Sequence, residues 1–193
     1  MKRILLTILL MATAGGVLAD DVMDWVNEGI EAYKKQDYTE AATNFEYAAQ
    51  LVRQMKGEEL TAALPEALKG WDKVNSDSGA AGAAMFGGGT SASARYEKGN
   101  ASCDITFTTD NPMLSSILMM FTNPMILSSS GKKLIRIGGE KASLEYSDGY
   151  GEITVVVDKR VLVQISGNDI TEEDLRAYAE AIDYELIEKL SDN

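Results

Sequence analysis

The side chains able to do chemistry in this chain are thirty carboxylates, one thiol and nine thioethers, with no imidazole anywhere. The lack of histidine removes Ser-His-Asp and Cys-His nucleophiles, His-ligated zinc and imidazole general bases. Carboxylate pairs remain available for acid–base work, yet no pair is framed by a pattern that predicts a cleft. Asp104 and Glu145 fall on strand segments, on faces opposite the apolar residues, as a solvated coat would. The thiol, Cys103, has no second cysteine to pair with and shares a strand face with Ile105 and Phe107. That placement predicts a small buried core residue. A soft-metal site from Met113, Met119, Met120 and Cys103 has no imidazole to complete it, and methionines at this density read first as packing. The expectation is no catalytic residue, no metal and no cofactor.

The remaining candidates are apolar. Met85 and Phe86 sit inside a run of small residues from 76 to 90, read as a mobile flap because so many glycines cost a helix too much entropy. The run lacks the Gly-Lys-Ser/Thr ending of a phosphate loop. Met113 to Phe121 then crowds apolar residues on more than one face, within a segment spanning 112–127 that Pro124 interrupts. It is too short to cross a bilayer. Its two readings are a core helix under a sheet, or a wall of a hydrophobic ligand site made with the flap. The second makes Met85, Phe86, Met119, Met120 and Phe121 candidate ligand-binding residues.

The elements that must position these residues are read most clearly near the C-terminal end. Residues 134–137 open a strand block, and 141–146, 153–157 and 161–165 follow it with a period-two pattern, the mark of half-buried strands. Their connections are too short for parallel crossovers, so the neighbours are antiparallel. Thr171 is the expected N-cap of a helix running towards Leu190, with Asp174 three residues later and Ile170 and Leu175 placed as a hydrophobic staple. Leu175, Tyr178, Ala179, Ile182 and Leu186 share one helical face, worth about 1.5–3 kcal/mol per large side chain when it covers the sheet. Residues 71–75, 91–96 and 102–109 supply further strands, the last two as a hairpin around Lys98-Gly99-Asn100. The fold class is α+β: an N-terminal helical hairpin, an antiparallel sheet of about six strands, and one C-terminal amphipathic helix packed on it.

The first nineteen residues read as a secretory signal. Lys2 and Arg3 precede an apolar run over 4–14, and Val17-Leu18-Ala19 fits a small-residue cleavage site. Cleavage would take the formal charge of −12 two units further negative. A chain this acidic argues against nucleic acid or anionic lipid as an electrostatic partner. The expected division is a signal over 1–19, a helical hairpin over 20–64 and an α+β domain over 65–193. The expected location is periplasmic or secreted, with no integral membrane segment after cleavage.

The hairpin itself is two helices, 21–36 and 39–56, with Asp37 and Glu40 placed to cap the second. Trp25, Gly29, Tyr33, Tyr38, Ala41, Phe45 and Ala48 are spaced so that small residues lie where helices approach and aromatics fill the space between. Residues 22–52 thereby resemble a single tetratricopeptide-repeat unit, although Glu28 stands at a usually apolar position and no proline closes the second helix. The resemblance implies protein binding, with Trp25, Tyr33 and Tyr38 as candidate partner-binding residues. No second copy follows, and a peptide-binding groove generally needs three or more. A docking hairpin and a helical pair packed on its own domain both remain open. The element order of residues 71–190 also resembles uncharacterised bacterial periplasmic α+β domains of PsbP/Mog1-like layout, a likeness that implies no site residues. The function expected is an exported, non-catalytic module binding a protein of the cell envelope, the alternatives being a carrier of a hydrophobic small molecule or lipid and, far behind, a hydrolase that works without histidine.

Overall fold

A computed structural model describes residues 14–79, 89–112 and 114–191. The chain divides into two compact units, Met1–Met55 and Lys56–Asn193, each considered by itself. Met85, Phe86 and Met113 lie outside the described residues, as do the first thirteen positions of the proposed signal.

The first unit holds helix α1 (Ala14–Lys34) and the start of α2 (Tyr38–Ala62). α2 runs six residues past the expected end at 56. Gln36 takes φ 64° in the turn, and the Glu40 amide donates to Asp37 Oδ1 at 3.0 Å, so Asp37 caps α2 as its position predicts. Small residues set the helix contact. A Cβ on Gly29 would lie 2.6 Å from the Phe45 ring, so only glycine lets the aromatic seat there.

The second unit is one seven-stranded antiparallel sheet, one strand more than expected. Its strands are β1 (Asp72–Gly79), β2 (Thr90–Lys98), β3 (Ala101–Thr109), β4 (Lys133–Ile137), β5 (Glu140–Ser147), β6 (Tyr150–Val157) and β7 (Val161–Asn168). The order is β1-β2-β3-β7-β6-β5-β4, two meanders joined along β3 and β7. β1 continues through Ser76, Asp77 and Ser78, which pair with β2. The expected flap at 76–90 therefore loses its first residues to the sheet, because backbone groups there find ladder partners. Residues 80–88 are not described.

The pleat sorts residues between two faces. On the inner face Tyr96, Cys103, Ile105, Phe107, Ile153, Val155, Val163 and Ile165 form the main core with Leu60, Leu64 and Trp71. Cys103 is fully buried there, as its strand position predicts. The C-terminal segment covers this face as two helices where one was expected: α5 (Glu172–Glu180) and α6 (Tyr184–Ser191). Asp183 explains the break, since its carboxylate accepts from the Leu186 amide at 2.9 Å and begins a new helix. The α5 start matches the reading of Thr171, whose hydroxyl accepts from the Asp174 amide at 3.0 Å. Leu175, Tyr178, Ala179 and Ile182 are buried, while Leu186 is half-buried. Gly151 leaves room for the end of Leu175, which a Cβ would meet at 2.5 Å.

The outer face is mostly polar. It carries a smaller cluster of Val156 and Leu162 under Leu114 and Phe121 from helix α3 (Leu114–Thr122). A second short helix, α4 (Pro124–Ser129), follows, with Asn123 Oδ1 accepting from the Met125 amide. The expected apolar segment at 112–127 is thus two helices split at Pro124, which fits the first turn of a helix and not its interior. No helix among the described residues is long and apolar enough to cross a membrane.

Candidate functional site

The hairpin presents its candidate residues as two aromatic pairs. Tyr33 and Tyr38 stand edge to face with centroids 5.8 Å apart, both about 60% exposed. Trp25 is half-buried against Tyr47 at 4.9 Å. Tyr33 and Tyr38 are thus brought together across the turn, and Trp25 belongs to a separate pair. Met23, Ile30, Phe45, Tyr47 and Val52 are also exposed, although the repeat-unit resemblance implied only Trp25, Tyr33 and Tyr38 as partner-binding.

Three of the candidate ligand residues, Met119, Met120 and Phe121, are described. Phe121 is buried in the outer cluster and borders a cleft of about 480 Å3. Met119 is 66% exposed, Met120 is half-buried, and neither lines that cleft. Met119 and Cys103 also cannot share a metal, since Cys103 lies in the inner core and Met119 is on the surface. Among the described residues, no group of three or more acids, cysteines or histidines is placed to hold a metal ion.

Two clefts of the second unit meet at the β6–β7 turn. The first, about 320 Å3, is bordered by Lys56, Asp110, Asn111, Leu114, Lys159 and Arg160. The second is the 480 Å3 cleft, with Leu118, Phe121 and Val156 as its apolar part. Its rim carries Arg136, Lys141 and Lys159 against Glu140, Asp158 and Glu188. The sequence reading treated Asp158-Lys159-Arg160 only as a turn. Its signal was available: three charged residues between two β-branched strands, where asparagine or glycine is the usual choice.

Polar groups on the outer face form a row across the strands. Arg95 Nη1 donates to both carboxylate oxygens of Asp104 at 3.0 and 3.2 Å, and Arg95 Nε donates to Glu97. Asp104 faces away from Cys103 and Ile105, as expected. Further along, Glu145 and Glu152 are direct cross-strand neighbours. Lys132 reaches both, bonding Glu152 and standing 3.7 Å from Glu145. Like charges directly opposite destabilise a sheet, so the lysine offsets a specific repulsion here. The Tyr150 hydroxyl points at Glu152 Oε2 from 3.4 Å, and burial, then the neighbouring Glu152 and Glu145, push its pKa up. On the inner face burial raises the Cys103 thiol to about 12, with Asp104 and Asp174 adding to the shift. Burial likewise raises Tyr96, Tyr178 and Tyr184. These groups hold their protons at neutral pH and offer neither a base nor a nucleophile.

No protein-family model matches the chain, and no curated protein matches it. Among solved structures it is similar to a GTP-binding regulator from Thermotoga maritima, at 8% identity and a TM-score of 0.37, over 64% of this chain and 82% of that one. That likeness is too slight to define a shared fold.

Proposed function

We propose that this protein is an exported, non-catalytic interaction module whose N-terminal hairpin docks on another protein of the bacterial envelope. The observation that carries this reading is the exposed apolar surface of the hairpin, with Tyr33 and Tyr38 at its turn and Met23, Ile30, Phe45, Tyr47 and Val52 along its helices. Such a pair of helices buries little on its own account. Among the described residues of the first unit, Gly29, Ala32, Ala41, Asn44 and Ala48 are the buried ones. A single repeat-like unit cannot cover its hydrophobic face without a neighbour, and stacking against a second helical element would cover it. Tyrosine pairs suit that role because they supply large contact area at low entropic cost.

The export half of the reading rests on Lys2, Arg3, the apolar run after them and the small residues before Asp20. The non-catalytic half rests on the missing histidines and on buried thiol and phenol groups that keep their protons.

The test is site-specific photocrosslinking in intact envelopes. A crosslinker at Tyr33 or Tyr38 should capture one defined partner, and the same probe at Lys141 on the sheet should not. Equal capture from both positions, or none from the hairpin, would overturn the proposal. A crosslinked product of twice the chain mass would mean that a second copy of this chain is the partner, contradicting the heterologous reading.

A further inference from the structure

We infer that the second unit binds an anionic single-chain amphiphile, its head in the cleft at Lys56, Lys159 and Arg160 and its chain along α3. This site is independent of the hairpin.

The argument begins at the β6–β7 turn. Asp158 and Lys159 take φ 46° and 58°, and the Arg160 amide donates to the Val157 carbonyl at 3.0 Å. Within this three-residue connection the Val157–Arg160 turn needs left-handed backbone at both centres, which asparagine and glycine accept far more readily than lysine. The chain bears that strain at the residue where the two clefts meet. Strained positions of this kind are kept where the side chain is needed.

Charge then assigns the ends. Lys56 pairs with Asp110 at 3.3 Å, and Arg160 Nε stands 3.7 Å from Asp158. Lys159 makes no ion pair among the described residues. Among the described residues, Lys159 therefore leaves one cationic head without an ion-pair partner at the smaller cleft, in a chain of formal charge −12. The larger cleft has as many acids as bases on its rim, and its floor is Leu118, Phe121 and Val156. Leu114 borders the smaller cleft and packs in the same cluster as Phe121 and Leu118, so one apolar track leads from the cationic end into the larger cleft. A ligand with one negative head and one hydrocarbon chain matches both parts. Volumes of about 320 and 480 Å3 fall in the range that holds small ligands.

The test is calorimetric titration of the intact protein with dodecyl phosphate, laurate, dodecyl maltoside and inorganic phosphate, each below its micelle concentration. One dodecyl phosphate or laurate should bind per chain, and whichever binds more tightly identifies the head group. Dodecyl maltoside and inorganic phosphate should bind at least roughly tenfold more weakly, lacking the charge and the chain respectively. Lys159→Gly relieves the backbone, so its thermal midpoint should stay or rise while affinity falls roughly five- to tenfold. Leu118→Glu should weaken both anionic amphiphiles through the chain cleft. A Tyr33→Ala, Tyr38→Ala protein should bind them unchanged. Binding of the maltoside as tight as that of the anions, or an unchanged affinity in Lys159→Gly, would overturn the inference. So would an absence of monomer binding with attachment only to anionic vesicles.

Discussion

Among the described residues of the first unit, those withdrawn from solvent are Gly29, Ala32, Ala41, Asn44 and Ala48; in the second they include Tyr96, Phe107, Ile153, Ile165, Leu175 and Tyr178. The same chain therefore holds its two regions by different means. The sheet has a continuous layer of large side chains closed by α5 and α6, enough apolar burial to offset the entropy of ordering it. The hairpin has close backbone approach, one glycine under a phenylalanine ring and a capped turn. What it exposes is what the sheet buries. Such a difference is expected when one region folds for itself and the other keeps its apolar surface for a partner.

The largest expected effect lies in the sheet. Phe107→Ala should cost about 3–5 kcal/mol in denaturant unfolding, because a fully buried ring leaves a cavity in the inner layer. A loss below about 1 kcal/mol would mean that this layer is not the stabilising core. In the hairpin the corresponding weak point is steric. Gly29→Ala drives a Cβ into Phe45 and should cost about 1–3 kcal/mol locally, seen as faster amide exchange in α1 with the sheet unchanged. An unaltered exchange pattern would show that the two helices do not meet there.

Lys132→Met sharpens the comparison on the polar face. It leaves Glu145 and Glu152 opposite one another and should destabilise by about 1–2 kcal/mol, with much of the loss recovered when Glu152→Gln is added. Additive losses in the double variant would mean that the lysine acts by packing alone.

Alkaline pH probes the inner face through its buried thiol. The folded thiol of Cys103 is raised from its ordinary 9.0 to about 12, so the native state holds a proton that the unfolded chain releases. Its contribution is complete below pH 9.0 and is lost as pH rises towards about 12. The thermal midpoint should fall over that window, and less steeply in Cys103→Ala. At neutral pH the thiol should react with a maleimide only after unfolding. The smallest effect is expected at the hairpin surface, where Tyr33→Ala and Tyr38→Ala should each shift global stability by less than about 0.5 kcal/mol. A larger loss would mean that these rings serve the fold and not a partner.

The parts of this architecture legible in the sequence are those where a local rule and the tertiary environment agree. Strands β5 to β7 alternate because one face is buried, and Thr171 caps α5 with its hydroxyl accepting from the Asp174 amide while Ile170 and Leu175 on either side are buried. The α+β class followed from those two signals. The break between α5 and α6 was not read, because the apolar face continues through Ile182 and hides the new start that Asp183 makes. β1 was cut short, because Ser76, Asp77 and Ser78 have low strand propensity and are held by pairing with β2. Tyr33 and Tyr38 came to notice through the repeat-like pattern of residues 22–52, which the sequence displays on its own. Residues 158–160 were read only as a turn, because the left-handed backbone at Lys159 cannot be seen until two strands fix the turn between them.

The contrast between the two regions is tested most directly by native-state hydrogen exchange on the intact protein. The account predicts that amides of β3, β6 and β7 exchange only through global unfolding, while those of α1 and of α2 up to Met55 exchange through smaller, local openings. Hairpin amides protected to the same free energy as those of β7 would contradict it, since the hairpin would then be an integral part of the folded core.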